Sequence, residues 1–122
     1  MPSSRLLFPR SSRLKLPGEF ARAKAEGRRL VCGCLIANVL PRPPSQPSRL
    51  GVVTSKKIGD AVARSRARRL LRECFRLHQH DLARPVDLVL VARPSIAGKK
   101  LAEVEKDLMG VLRQARLDIT GE

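Results

Sequence analysis

At 122 residues the chain fits one domain, able to bury roughly two-thirds of its unfolded surface in a single modest core. Its 25 Lys and Arg against 11 Asp and Glu leave a formal charge of +14, which draws polyanions from a distance, so nucleic acid leads the partner classes and a membrane surface is the rival. The longest nearly apolar run, residues 30–40, falls short of the ~20 residues a spanning helix needs, and three cysteines cannot close a complete disulfide framework, which fits a reduced, cytoplasmic protein.

Residues 1–16, "MPSSRLLFPRSSRLKL", are rich in Ser and Arg and carry no acid. They have a transit-peptide composition but no secretory apolar core, and residues 1–14 read as a basic, poorly ordered tail. Residues 17–27, "PGEFARAKAEG", place Pro at the start, Ala, Lys and Glu inside and Gly at the end of a helix. "RRLVCGCLIANVL" (28–40) is β-rich around Gly33, either one bulged strand or two short ones. "PRPPSQPS" (41–48) has four prolines that cannot donate to a ladder, hence a loop.

A strand over 49–55 leads into "KKIGD", where Gly59 can turn and Asp60 can cap a helix over 61–80. "VDLVLVA" (86–92) reads as a strand buried on both sides and a neighbour of strand 49–55. Leu101, Val104, Leu108, Val111, Leu112 and Ala115 lay an apolar stripe along a last helix. The order α-β-β-β-α-β-α gives an α+β fold, a single-domain sandwich of helices on a mixed sheet spanning 15–118, with 119–122 as a short tail.

"AVARSRARRLLRECFR" (61–76) packs six arginines into one helix. At ~100° per residue, Ala63, Ala67, Leu70, Leu71, Cys74, Leu77 and His78 share the arc facing the sheet. Arg68, Arg69, Arg72 and Arg76 gather opposite with Ser65, and Arg64 and Arg66 flank the first turn. A solvated helix face usually mixes signs at i and i+4, whereas Arg68, Arg72 and Arg76 place like charges there at a small cost in helix stability. Guanidinium forks suit bidentate phosphate contacts, and Lys56 and Lys57 stand where the helix start can also receive phosphate. The pattern points to polyanion binding. With no Trp or Tyr and only three Phe, shape and backbone recognition is expected over base readout.

The turn "TSKKIGDAV" and the helix "RSRARRLLRECFR" together resemble the protein subunits of bacterial ribonuclease P, with similarity from about Arg13 to Leu117. In that family Arg-Asn-Arg-x-Lys/Arg-Arg-x-x-Arg follows a Ser-Lys-Lys-x-Gly turn. Arg64, Arg66, Arg68, Arg69 and Arg72 stand at the basic positions, and Ser55, Lys56, Lys57 and Gly59 at the turn. The resemblance implies a subunit that binds a catalytic RNA through the arginine helix, Ser65 and Arg76 included, and the 5′ leader of precursor tRNA through a cleft containing Phe20 and Ser55. The RNA would cut the phosphodiester with Mg2+, the protein contributing no catalytic group, metal site or cofactor and needing no obligate protein partner. A left-handed βαβ crossover is also implied, against the general right-handed rule.

Two features depart from the family: Ser65 replaces the usual Asn, and aromatic residues usual near Lys24 and between Cys34 and Asn38 are missing, which implies weaker or more polar leader contacts. Phe20 could equally be an anchor for the first helix. Cys32 and Cys34, on one side of a strand, with Cys74 and His78 on a helix, lack common zinc-ligand spacings and read as core. His78 is expected packed and His80 solvated. No carboxylate cluster suggests a protein-based two-metal nuclease. The runner-up is another basic RNA-binding protein, a ribosome-associated factor or RNA chaperone, with a DNA-binding module third.

Overall fold

A computed structural model describes residues 13–79 and 82–115. Residues 1–12 of the tail, His80 and residues 119–122 lie outside the described residues. The elements follow as α1 (Pro17–Glu26), β1 (Arg28–Cys32), β2 (Leu35–Pro41), β3 (Arg49–Val53), α2 (Ala61–His78), β4 (Val86–Ala92) and α3 (Leu101–Gln114), with short 3-10 turns at Lys56–Ile58 and Pro94–Ile96. This is the α-β-β-β-α-β-α order read from the sequence.

The four strands form one mixed sheet in the order β1-β2-β4-β3. β1 and β2 are an antiparallel hairpin, β2 pairs antiparallel with β4, and β4 pairs parallel with β3. The parallel pair, joined through α2, is the expected βαβ unit. Of the two readings of residues 28–40, two strands is the observed one. Gly33, at φ 56°, and Cys34 make the two-residue turn of the hairpin, a left-handed position that suits glycine. Cys34 therefore does not share a strand with Cys32, contrary to the expectation.

Alternation along the strands gives the sheet two unlike faces. Leu30, Leu35, Ala37, Val39, Leu50, Leu88 and Leu90 point to one side, where Ala67, Leu71, Cys74 and Phe75 of α2 and Val104, Leu108, Val111 and Leu112 of α3 complete the main core. Gly110 lets α3 approach β1 closely, since a Cβ there would fall 2.5 Å from Cys32 Sγ. The opposite face carries a smaller cluster, Leu14, Ala23 and Val89 with Phe20 and Val91, under α1. Among the described residues, one short helix covers only part of that face of the four-stranded sheet and leaves the rest of it open.

Arg13 and Leu14, read as tail, belong to the folded domain: Leu14 is buried, its N–H donates to Leu50 O at 2.9 Å, and Arg13 bridges to β3. Two charged anchors fix α1. Glu19 Oε1 accepts from the N–H groups of Lys15 and Leu16 at 2.9 and 3.1 Å, closing the helix start. Its Oε2 accepts from Arg49 Nη1 at 2.8 Å, while Arg49 grips the buried Asp87 through Nε and Nη2 at 2.8 and 2.7 Å. Such a forked pair holds geometry as well as charge.

Candidate nucleic-acid interface

The arginine helix begins where the sequence placed it. Ser55 Oγ accepts from Lys57 N–H at 3.3 Å and so caps the Lys56–Ile58 turn. Gly59, at φ 142°, reverses the chain, and Asp60 Oδ1 accepts from Ala63 N–H at 2.9 Å to cap α2. Buried Ile58 pins the turn to the core. Lys56 and Lys57 are thereby exposed beside the helix start.

The buried face of α2 is Ala67, Leu71, Cys74 and Phe75. It is rotated from the arc expected from the sequence: Phe75 is in the core, whereas Leu70 and Leu77 are only half-buried. The rotation follows from packing α2 between the sheet and α3, a constraint no single-helix wheel contains. It also lifts Arg66 toward α3, where Nη2 donates to Lys99 O at 2.6 Å.

The arginines are oriented by neutral acceptors. Arg64 Nη1 donates to Gly59 O at 2.9 Å, and Arg68 donates through Nη1 to Thr54 Oγ1 at 2.8 Å and through Nη2 to Ser65 Oγ at 3.1 Å. Carbonyls and hydroxyls fix a guanidinium without cancelling its charge. Arg69 is exposed. Arg72 is half-buried, and burial together with Arg13 and Arg68 nearby holds its guanidinium below the ordinary arginine value. Arg76 differs, because its Nε and Nη2 meet Glu73 at 2.9 and 2.6 Å. Among the described residues, Arg64, Arg66, Arg68, Arg69 and Arg72 have no carboxylate partner, so α2 presents a dense field of uncompensated positive charge.

On the opposite face of the sheet lies a cleft of about 540 Å³. Phe20, Ala21 and Lys24 of α1 form one wall; Arg29, Ile36, Asn38, Val53, Val89 and Val91 from all four strands form the floor and rim. Phe20 sits against the bare backbone of Gly51, where a Cβ would fall 2.5 Å from its ring. The structure puts Phe20 in this cleft but not Ser55, which caps its turn two residues beyond Val53. The sequence reading missed Asn38, Thr54 and Lys99. The signal for Asn38 was available: it is the one polar letter in "LIANVL".

The remaining chemistry-bearing groups are built into the packing. Cys34 and Cys74 are buried, and burial pushes both thiols up to about 12, with a hydrogen bond to Asp107 adding to the effect at Cys34. Asp107 Oδ2 accepts from Cys34 N–H at 3.0 Å and ties α3 to the hairpin turn. His78 is partly buried, with Nε2 2.5 Å from Glu105 Oε2 on α3. Among the described residues no group of three or more His, Cys, Asp or Glu is placed to hold a metal ion, and no helix is long and apolar enough to cross a membrane.

The sequence model of the Ribonuclease P family matches residues 8–116. The ribonuclease P protein component of Gluconacetobacter diazotrophicus is 38% identical over 107 residues, covering 87% of this chain and 92% of its own length. That of Geobacillus kaustophilus is 35% identical over 103 residues, 84% of this chain and 85% of the relative. Among solved structures, the RNase P protein of Staphylococcus aureus superimposes with a TM-score of 0.79 at 25% identity, covering 88% of this chain and 97% of that one. The RNase P protein of Thermotoga maritima gives 0.73 at 26%, covering 84% and 96%.

Proposed function

The chain belongs to the ribonuclease P protein family, and from that membership we propose that α2 with its leading turn holds the catalytic RNA while the cleft beneath α1 takes the 5′ leader of precursor tRNA. As a ribonuclease P protein component it is the protein part of the endoribonuclease that processes tRNA 5′ ends, its partner is the ribonuclease P RNA, and the hydrolase activity belongs to the RNA–protein complex.

One observation carries the assignment of the RNA face: Arg64, Arg66 and Arg68 are held by carbonyl and hydroxyl oxygens, so they are aimed but not neutralised. A face kept only for solubility gains nothing from fixing its guanidinium groups, whereas a phosphate-binding face loses less side-chain entropy when the RNA arrives. Arg69, Arg72, Lys56 and Lys57 extend it. Arg76, already paired with Glu73, stands at its margin. The cleft supplies what a single strand requires, a ring for stacking at Phe20 and cations at Lys24 and Arg29 for phosphates. In this reading Mg2+ resides with the RNA, where the phosphodiester is cut, and the complex is cytoplasmic.

Reconstitution tests the proposal. With a bacterial ribonuclease P RNA at low magnesium, the protein is expected to speed 5′-leader removal from precursor tRNA, and alone to cleave nothing. Arg64→Ala/Arg68→Ala is expected to weaken RNA binding; Phe20→Ala should leave RNA binding intact and reduce only the advantage a leader gives. General RNA binding without an effect on cleavage would favour the ribosome-associated or chaperone reading.

A further inference from the structure

A second hollow, an open groove of about 320 Å³, runs between α2 and the start of α3, lined by Arg66, Arg69, Leu70 and Glu73 of α2 and by Leu101 in the first turn of α3. Leu70 and Leu101 pack only partly on the main core, and what they leave accessible is the floor. The simplest way to close such a groove is an ion pair between Arg69 and Glu73, at i and i+4 across Leu70. The structure does otherwise. Glu73 turns to Arg76, meeting its Nε and Nη2 at 2.9 and 2.6 Å, while Arg66 is held on the α3 side by donating from Nη2 to Lys99 O at 2.6 Å. Two leucines are thus left uncovered within the basic face of a chain of charge +14, with two cations toward one end of the groove and a carboxylate at the other. Apolar surface kept open in such surroundings marks a binding site.

We propose that this groove receives one nucleotide of the catalytic RNA, turned out of its stack, with the base face on Leu70 and Leu101 and the phosphate between Arg66 and Arg69. The inference rests on the reading of α2 as the RNA face, and adds a base pocket to its phosphate contacts. Charge selects the occupant: the groove asks for a flat apolar body with an anion attached, and an unpaired nucleotide is both. Continuity selects the same partner, because Arg69 stands between the groove and the Arg68–Arg72 side of the helix, so a polyanion on that side runs directly into the groove. Glu73 gives the groove a direction. Its carboxylate repels a second phosphate, which leaves the Arg66 and Arg69 end for the anion and turns the edge of the base toward Glu73. Leucine floors distinguish no base edge, so the pocket selects an unstacked nucleotide by shape and accepts any of the four bases.

The test uses the full chain reconstituted with a bacterial ribonuclease P RNA. Leu101→Ser is expected to weaken RNA binding about fivefold, the weight of part of one apolar side chain, and to leave the slope of log affinity against log salt unchanged, since an apolar contact releases no counterion. Dimethyl sulfate, kethoxal and carbodiimide, which between them modify the pairing edges of all four bases, should find one unpaired base that the wild-type protein protects and the Leu101→Ser complex exposes, with the other protections kept. Leu101→Met, which restores an apolar floor, should protect that base again. Arg69→Gln touches no core group and carries the same test should the serine disturb the fold: the same base is expected to become reactive, with the salt slope lower by about one. Wild-type affinity in Leu101→Ser, or no base whose protection depends on Leu101 or Arg69, overturns the assignment of the groove. Arg68→Ala separates that failure from a deeper one: if it too binds the RNA as the wild type does, the reading of α2 as the RNA face falls as well.

Discussion

The ring of Phe20 lies on the backbone of Gly51, so close that a Cβ at position 51 would fall 2.5 Å from Cε1 and 2.9 Å from Cζ. Phe20 is thereby seated from below by a residue without a side chain and from its own helix by the Glu19–Arg49–Asp87 anchor. Gly51→Ala is expected to push the ring out of the cleft wall, costing about 1–3 kcal/mol of stability as overpacking does. Urea unfolding would measure the cost. In the holoenzyme the same variant should lose affinity only for leader-bearing substrate, and an equal loss for leaderless tRNA would place the damage elsewhere.

Charge compensation separates the arginines of α2. Arg68→Ala is expected to weaken binding of the ribonuclease P RNA and to lower the slope of log affinity against log salt by about one. Arg76→Ala should do less, because Glu73 already neutralises Arg76, and Glu73→Gln should raise affinity by releasing it. Ser65→Asn is expected to change little, since an amide oxygen can replace the hydroxyl that accepts from Arg68. A salt titration of RNA binding across these four variants checks the order.

Most of this basic face was legible in one dimension, because Arg64 to Arg72 and the Asp60 cap are local in sequence and need only the helical period to be placed. The cleft was not, since Asn38, Val53 and Val89 come from three strands whose register is a tertiary fact. The same limit explains two errors. The wheel left out Phe75 because the buried arc of α2 is set by α3 as well as by the sheet, and strand alternation placed Cys34 beside Cys32, whereas the chain takes the two-strand alternative and turns at Gly33. Both faces of β4 were recognised as buried, yet one proved to be covered by two helices and the other by α1 and an open cleft.

Stability at low pH should depend on Glu19. Backbone N–H groups of Lys15 and Leu16 first, and Arg49 in addition, hold its carboxyl below the ordinary carboxylate value. A carboxyl whose folded pKa is depressed stabilises the fold above its unfolded pKa, and that contribution is lost as pH falls through the folded value. The midpoint of unfolding is therefore expected to drop as pH is lowered below about 4.5, and Glu19→Gln to flatten part of that drop. Asp87→Asn is the harsher change, leaving Arg49 without its buried partner at a cost of about 3 kcal/mol or more at neutral pH.

The three cysteines should differ in reactivity by position. Cys34 and Cys74, at 1% and 0% exposure with thiols pushed up to about 12, offer a thiol reagent neither access nor thiolate; at pH 8 such a group is ionised only about one part in ten thousand. Cys32 is half-buried at the end of β1 beside the hairpin turn. An alkylating reagent is expected to add one group to the folded protein, at Cys32, and the other two only as urea unfolds the chain. Mass spectrometry of the labelled peptides would then report two events. Cys34 is tied to α3 through Asp107 and Cys74 faces the main core, so both should appear together at the global transition. Labelling of Cys34 well before Cys74 would show instead that the β1–β2 turn opens on its own, with the Asp107 contact too weak to hold the hairpin against α3.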